Sequence, residues 1–372
     1  MSMQQLGKGL AECGVPLQYD VFGEDGKLLL RQGHVITDQK QLNTLLQRGL
    51  YVDAGAAAAK VQDDLLSGHK YDPFWLWNEI IGKLGHLLRQ CDDEENIPDQ
   101  FVVLSRLVQL LTDRSKDAAL AAMILLPDQG RYSLVHCLHA ALLCDMVATR
   151  LAWGEERRRS LVCAALTMNI SMVDSQQKLA EQAGPLTPAQ RLDIQLHPKT
   201  SADILNRAGV EDLIWLQAVQ DHHETPLGSG YPNGIKEIGA EATLLRTADV
   251  FSAKVSPRTT RRQMNGAQAS RVLFTDPGMT TANPFIAVLI KEVGIYPPGS
   301  FVKLATGETG IVYKRSANAH TPIVLSLTNS RGTPEAKPIR RDTSNEEYKI
   351  MSVIPRENIM IRINPESLWG SQ

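Results

Sequence analysis

Residues 222–232 read HHETPLGSGYP, and this stretch decides the fold prediction because it joins two adjacent histidines to a glycine-rich loop. An amphipathic helix precedes the pair, so His222 and His223 leave a helix end where both rings can turn toward one cation. The glycines allow backbone amides to approach a bound anion closely. Tyr231 adds an aromatic face and a hydroxyl group. The stretch therefore favours a metal site over two unrelated structural histidines.

The sequence before this stretch predicts a series of helices. Apolar residues recur at helical spacing from residue 72 onward and again over residues 99–113, 116–126, 133–152 and 157–170. Thr187, Pro188 and Gln190 form a capping box with proline in the first turn, which predicts a further helix start. Pro198 is expected to bend or end that helix. The centre of the chain is therefore predicted to be all-α.

Both ends of the chain contain short β-like runs, unlike the helical centre. Short β-like runs at 19–23 and 27–31, followed by a helical pattern over 38–48, predict a small α+β module over residues 5–53. An alanine-rich linker over 54–71 follows it, and the helical domain then covers 72–295. Runs at 301–304, 310–313, 323–327 and 349–353 predict a small β-rich C-terminal region over 296–365, in which the polar segment 329–347 is expected to be a long loop. The fold class is mainly α.

Composition excludes several classes of function. The net charge of -2 over 372 residues lacks the basic excess of a general DNA-binding protein. Five cysteines without a C-x-x-C pair suggest neither a disulfide framework nor a thiolate zinc site. No run of about 18 apolar residues and no signal-like N-terminus is found, so we expect a cytoplasmic protein without a membrane span.

The motif HHE-x-x-x-GSGYP, preceded by LTPAQ-x(6)-HP and followed by TADVFSAKVSPRTTR, resembles the HD-GYP domain family over residues 130–275. The family's members are all-α phosphohydrolases that cleave cyclic di-GMP at a two- or three-metal centre, so the resemblance implies an HD-type helical core and bacterial cyclic di-GMP signalling. It also implies that the N-terminal module is the accessory domain that precedes many such domains. The metal ligands implied are His136, His197, His222, His223 and Asp249. The candidates for binding the ligand or its phosphates are Gly230, Tyr231, Pro232, Arg258 and Arg261.

The chain departs from the family at positions that carry catalysis. Met168 and Asn169 stand where the family has its His-Asp pair, and Met172 stands where it has a lysine. Leu227 and Ser252 each replace an aspartate of the pattern. Since Asn169 is neutral, it cannot bridge two dications as a carboxylate does, and the Met168 thioether is a poor ligand for Mn, Mg or Fe(II).

Three histidines alone can hold one transition ion with positions open to water or phosphate, so the sequence predicts one divalent ion (Fe or Mn) on His197, His222 and His223, or no metal at all. His136 and Asp249 would be the remnant of the second metal's ligands. His139, three residues after His136, is expected to be a helix-face histidine without a metal role.

Three functions remain open. The leading hypothesis is a cyclic di-GMP signalling protein with a degenerate HD-GYP domain that acts by binding a ligand or a protein rather than by turnover. The first alternative is an active metal-dependent cyclic di-GMP phosphodiesterase with a reduced, His-rich site, assisted by Glu224 or Asp221. The second is a pure interaction scaffold. The expected partners are cyclic di-GMP or a related cyclic dinucleotide, a diguanylate cyclase or other signalling protein, and a second copy in a homodimer.

Overall fold

The protein is described from a computed structural model, which covers most of the chain beyond residue 70 and parts of the N-terminal segment. The described residues are 3–5, 17, 20–23, 26–38, 40, 51–53, 71–89, 91, 96–126, 131–256, 264–276, 279 and 283–370. Most of the predicted helix over 38–48 and of the predicted linker over 54–71 lies outside them.

A small sheet forms near the N-terminus. It contains β1 (Met3–Gln5), β2 (Val21–Phe22), β3 (Leu28–Leu30) and β4 (Tyr51–Asp53), in the order β1-β4-β2-β3. Strands β2 and β3, which lie within the β-like runs predicted at 19–23 and 27–31, pair in antiparallel fashion, and Gly26 between them has a φ of 73°. Glycine adopts this left-handed conformation without the steric cost that a Cβ atom would add.

Helices make up the centre of the chain, as the apolar periodicity predicts. They are α1 (Pro73–Arg89), α2 (Ile97–Leu125), α3 (Tyr132–Arg150), α4 (Glu155–Thr167), α5 (Val173–Glu181), α6 (Pro188–Arg207), α7 (Leu213–Asp221), α8 (Ala240–Val255), α9 (Gly266–Thr275), α10 (Pro284–Val293) and the short α11 (Pro365–Trp369). The helices predicted at 99–113 and 116–126 are one element, α2, which is kinked where Ser115 leaves the helical conformation. A short 3-10 helix, Ile170–Met172, joins α4 to α5.

Helix α3 lies at the centre of the helical core. It is long and apolar enough to cross a membrane by composition, but 94% of its most apolar window is buried inside the fold. It packs against α4, α8 and α2. Burial against other helices accounts for its apolar character, since a helix that is apolar all round is found in the core of a large domain as well as in a membrane.

The sequence predicts that Pro198 bends or ends helix α6, and the helix does not end there. Its start is as predicted, because the Thr187–Gln190 capping box is formed. Proline lacks the amide proton that would bond to the Ile194 carbonyl, and the Nδ1 atom of His197 approaches that oxygen to 2.6 Å instead. This contact replaces the missing backbone bond, and the helix continues to Arg207.

The C-terminal region is a five-stranded antiparallel sheet. Its strands are β5 (Phe301–Leu304), β6 (Thr309–Lys314), β7 (Ile323–Thr328), β8 (Pro334–Asp342) and β9 (Ile350–Ile354), in the order β8-β7-β6-β5-β9. The four predicted strands are confirmed, but the loop predicted over 329–347 was wrong because it contains β8. This edge strand satisfies its backbone against β7 while most of its side chains remain in solvent, so its sequence is polar.

The C-terminal sheet packs directly on the helices. Phe301, Ile311 and Leu327 belong to the same hydrophobic cluster as the helical core. Polar contacts cross the same boundary, because Arg315 donates to the buried Glu292 of α10 and to Asp117 of α2. Packing is therefore continuous across residue 296, where the sequence predicts a domain boundary, and that boundary stays a prediction.

Candidate functional site

Residues on or next to four helices form the set of candidate metal ligands. Helix α6 carries His197, and α7 ends at Asp221, immediately before His222 and His223. Helix α3 carries His136 in its first two turns, and α8 carries Asp249. Electrostatic interactions connect all five residues, since charge on Asp249 affects the pKa of each of the three later histidines. The five ligands form two groups with different local geometry.

The first group is the three-histidine cluster of His197, His222 and His223. One ring nitrogen from each side chain lies within 4.8 Å of the other two, and among the described residues this is the group of histidines, cysteines and carboxylates that is spaced to hold an ion. His197 and His222 are buried, whereas His223 is partly exposed. The cluster therefore has one side from which an ion and a ligand can enter.

Hydrogen bonds fix the orientation of two rings in the cluster. Nδ1 of His197 lies 2.6 Å from the Ile194 carbonyl, and Nδ1 of His222 lies 2.7 Å from the Val219 carbonyl. A carbonyl oxygen can only accept, so each Nδ1 carries the ring proton. Both Nε2 atoms consequently present a lone pair to the cluster. This second contact of each ring is the kind that orients metal-binding histidines in proteins.

The charge state of the cluster is neutral. Burial and, to a smaller extent, the neighbouring His222 lower the pKa of His197 to about 3. Burial likewise lowers the pKa of His222, and it lowers that of His223 well below its usual range. At pH 7 protons therefore do not compete with a cation for the ring nitrogens, whose lone pairs are available for metal binding.

The Nε2 atoms of His197 and His222 are 3.2 Å apart. Because both carry lone pairs, no hydrogen bond joins them, and their approach is repulsive unless a cation lies between. Two imidazole nitrogens bound to one ion at about 2.0–2.1 Å, with an angle of about 90–110° at the ion, lie about 2.9–3.4 Å apart. The donor set of the cluster thus fits one divalent transition ion.

The second group is the histidine–aspartate pair of His136 and Asp249. Nε2 of His136 lies 2.7 Å from Oδ1 of Asp249, and Nδ1 lies 3.1 Å from the Ser252 hydroxyl oxygen. The Ser252 hydroxyl also donates to the Asp249 carbonyl at 2.9 Å, which leaves its oxygen free to accept. Both His136 nitrogens therefore face acceptors, and no lone pair is presented to a metal. As arranged, the pair does not fit an ion.

Burial and hydrogen bonding act in opposite directions on Asp249. Burial raises the pKa of the carboxyl group, but the hydrogen bond from His136 is the largest of the opposing effects that together bring the pKa below its usual range. The carboxylate is thus ionised and engaged. Tyr132 stacks on the His136 ring, with ring centroids 5.6 Å apart, and further restricts the position of His136.

Met168 and Asn169 lie at the end of α4, against the helix that carries His136. The backbone of Asn169 is within hydrogen-bonding reach of the Cys137 thiol, next to His136 in sequence. The Met168 side chain is completely buried, and Asn169 is almost so. The residues at the positions where the resemblance implies a His-Asp pair therefore lie close to the helix turn that carries His136.

The glycine-rich loop is held by Glu224. Its Oε1 atom accepts from the backbone amides of Asn233 and Gly234 at 2.7 and 3.1 Å. A Cβ atom on Gly230 would lie 2.5–2.6 Å from backbone atoms of residues 223–225, so glycine is required there by the packing of the loop on itself. This reason differs from the close approach to an anion that the sequence suggests.

The loop places Tyr231 over the cluster. Its ring stacks on His223 with centroids 4.6 Å apart, while burial and the charge on Asp249 raise the pKa of its hydroxyl. The hydroxyl therefore stays protonated and can donate to a ligand. Leu227, at a position where the resemblance implies an aspartate, is 58% exposed. Pro232 is partly exposed, and the predicted phosphate ligands Arg258 and Arg261 lie outside the described residues.

Some residues of the site were not predicted from sequence. Arg246, on α8, is partly buried, and its charge lowers the pKa of both His222 and His223, which burial already depresses. An arginine three residues before the predicted ligand Asp249 was the available signal. His139 is buried, as a structural histidine is expected to be, with Nδ1 3.3 Å from the Ser256 hydroxyl.

Comparison with known proteins agrees with this geometry. The family described as "HD domain" matches residues 108–276. The Pseudomonas aeruginosa protein named cyclic di-GMP phosphodiesterase PA4108 is 27% identical over 216 residues, which are 57% of this chain and 52% of that protein. The Vibrio cholerae protein named 3'3'-cGAMP-specific phosphodiesterase 3 is 29% identical over 168 residues, which are 45% of this chain and 36% of that protein. The chain thus spans about half or less of these relatives' length.

A solved structure shows the same fold. Bd1817, described as an HDG"Y"P protein from Bdellovibrio bacteriovorus, superposes with a TM-score of 0.50 at 16% identity. The match covers 77% of this chain and 98% of that structure, so it extends beyond the central helices. At this identity the likeness concerns the fold alone.

Proposed function

We propose, from the membership of its helical region in the HD-GYP domain family, that the protein is a cyclic-dinucleotide signalling protein. In this proposal it binds its ligand over one divalent metal ion, with little or no hydrolysis. The ligand is cyclic di-GMP or a related molecule, since relatives are named for activity on cyclic di-GMP and on 3'3'-cGAMP. The ion, Fe or Mn, is held by His197, His222 and His223.

The observation that carries this proposal is the contrast in lone pairs between the two groups. The Nε2 atoms of His197 and His222 converge at 3.2 Å without a proton between them. Both nitrogens of His136 are instead directed at Asp249 and Ser252. One ion is therefore favoured by the geometry and a second ion is opposed by it.

A bound divalent ion supplies Lewis acidity, which polarises a phosphate oxygen or a water molecule. The protein's own residues supply the remaining binding chemistry. His223 and Tyr231 present a stacked aromatic pair beside the ion, and the Tyr231 hydroxyl stays protonated to donate a hydrogen bond. Glu224 fixes the loop that carries Tyr231. Hydrolysis by two ions needs a carboxylate bridge, and Asn169 supplies none.

The proposal is tested by metal analysis and calorimetry on the purified full chain. We expect about one equivalent of Fe or Mn and measurable heat on titration with cyclic di-GMP or 3'3'-cGAMP, without linear product over hours. His222→Ala should lose both the metal and the heat. The exposed His320 provides a matched control, because His320→Ala removes an imidazole far from the cluster in sequence and should change neither. Two bound ions with rapid hydrolysis would contradict the proposal.

Two buried carboxylate oxygens next to the histidines favour an enzymatic alternative. Oε2 of Glu224 and Oδ1 of Asp221 are buried without a hydrogen-bond partner, and both residues flank the histidines. Burial also raises the pKa of Asp221, as a general acid or base requires. If linear product forms with one metal and disappears in Asp221→Asn or Glu224→Gln, the protein is a single-metal phosphodiesterase.

A further inference from the structure

Arg246 is a cation that its described surroundings do not neutralise. It lies on α8, three residues before Asp249, and is partly buried. Its Nε atom is buried and has no hydrogen-bond partner. No carboxylate among the described residues forms an ion pair with it, whereas Asp249 is engaged by His136. An arginine in this state has hydrogen-bonding capacity to offer to a ligand, because a buried donor without a partner is costly.

Arg246 and Asp249 lie three residues apart on α8, so their side chains share a face of that helix. Helix α8 packs against α7, which ends immediately before His222 and His223. Burial is the main cause of the low pKa values of His222 and His223, and the charge of Arg246 lowers both further. The same charge opposes the burial that raises the pKa of Tyr231. Arg246 is therefore within electrostatic range of two metal-ligand candidates and of the aromatic residue that stacks on one of them.

A fixed positive charge in this place works against a metal ion. Bringing a dication onto the three histidines adds to the charge of Arg246, and charges in a partly desolvated pocket are weakly screened. A bound anion would offset both charges and would satisfy the guanidinium donors. The planar guanidinium group matches the oxygens of a phosphate, which it can bind through two parallel hydrogen bonds.

We propose that Arg246 binds a phosphate group of the ligand at the metal-bound three-histidine cluster, so that metal and phosphate bind as a unit. The inference rests on the proposed function only in naming the whole ligand as a cyclic dinucleotide. Binding of a phosphate group by Arg246 does not depend on it. The inference assigns the cationic role that Met172 cannot fill where the family has a lysine. Each of the two bound species raises the affinity of the protein for the other, as thermodynamic linkage requires.

The test uses the full chain with inorganic phosphate, cyclic di-GMP and Mn as probes. Arg246→Gln removes the charge, and Arg246→Lys keeps the charge but loses the paired hydrogen bonds. Arg207→Gln is the matched control, because Arg207 is exposed in the last turn of α6. Calorimetry gives the affinity for phosphate and for cyclic di-GMP in Mn-loaded protein, and Mn titration is repeated with and without phosphate.

We expect Arg246→Gln to weaken binding of both phosphate probes by about tenfold or more, and Arg246→Lys by about threefold, while Arg207→Gln binds as the parent does. Without phosphate, Arg246→Gln should bind Mn more tightly than the parent, because the repulsion is gone. Phosphate should tighten Mn binding in the parent but not in Arg246→Gln. A purely structural role for Arg246 would not produce this reversal.

Failure of this inference is separable from failure of the proposed function. If Arg246→Gln binds both probes as tightly as the parent does, the inference is overturned and the proposed function stands. If the parent binds phosphate through Arg246 but no cyclic dinucleotide, the proposed function fails and the inference stands. Should Arg246→Gln not fold, as judged by circular dichroism, Arg246→Lys decides, and unchanged phosphate affinity in that variant rejects the role.

Discussion

The three-histidine cluster and the histidine–aspartate pair lie within electrostatic range of each other and both contain imidazole rings, yet their hydrogen bonds differ. In the cluster, the Ile194 and Val219 carbonyls accept hydrogen bonds from Nδ1 of His197 and His222, which leaves both Nε2 lone pairs directed at each other. In the pair, Asp249 and Ser252 occupy both nitrogens of His136. The ability of a histidine to bind a metal thus depends on its second contact as much as on its position.

The largest effect on metal affinity is expected when one histidine of the cluster is removed. His222→Ala removes one of the two converging nitrogens, so the affinity for Mn or Fe should fall by at least about 100-fold. Metal analysis after dialysis against a chelator measures the loss. His139→Ala, which removes a buried histidine of α3 that is not in the cluster, should retain the metal if it folds. Equal metal content in His222→Ala and the parent would erase the distinction between the two groups.

The next variant converts the pair into a second metal site. Met168→His combined with Asn169→Asp restores an imidazole and a bridging carboxylate beside His136, so the metal content should rise from about one equivalent to about two. Metal analysis and manganese electron paramagnetic resonance, which detects coupled ions, provide the measurement. The single variant Asn169→Asp is the control that separates the bridge from the added imidazole. A double variant that still holds one ion would mean that the hydrogen bonds of the pair resist a second metal.

A third variant weakens the second contact of His197 without touching its ring. Pro198→Ala restores a backbone amide that competes for the Ile194 carbonyl, so metal affinity should fall by up to about tenfold. The same change should stabilise the protein by about 1–3 kcal/mol, since proline is unfavourable inside a helix. Metal titration and denaturant unfolding should therefore shift in opposite directions. Parallel shifts would show that the carbonyl contact does not orient His197.

The smallest effect concerns the pair. Ser252→Ala removes the acceptor for Nδ1 of His136, and the free energy of unfolding should fall by about 1 kcal/mol. The content of the first metal should not change, because the Ser252 hydroxyl is hydrogen-bonded to His136 and to the Asp249 carbonyl. Denaturant unfolding with metal analysis checks both statements. A loss of the first metal in Ser252→Ala would show that the two groups act as one.

Much of the fold follows from periodicity. Helices with apolar faces were predicted close to their observed positions, and adjacent histidines after a helix pointed to the cluster, because both signals are local in sequence. Strand β8 was missed because an exposed edge strand carries charged side chains without apolar alternation. The continuation of α6 through Pro198 was missed because it depends on a side chain, His197, that takes the place of a backbone donor.

The site was predictable in its members but not in its arrangement. The positions of His136 and Asp249 come from a motif resemblance, yet the direct hydrogen bond between them depends on side-chain conformations that spacing does not specify. In the sequence, only its spacing to Asp249 marks Arg246, and the burial of its Nε atom without a hydrogen-bond partner becomes visible in the fold. Such features arise from contacts between distant segments.

Glu292 links regions that are far apart in sequence. Its carboxylate, at the end of α10, receives Arg150 from the last turn of α3 and Arg315 from the residue after β6. Helix α3 runs from the turns that hold His136 to Arg150. It therefore connects the histidine-bearing region to the terminal sheet through the ion pairs of Glu292. Denaturation should consequently register as a single cooperative transition for both regions, and removing residues 296–370 would leave a buried acid without one of its cations.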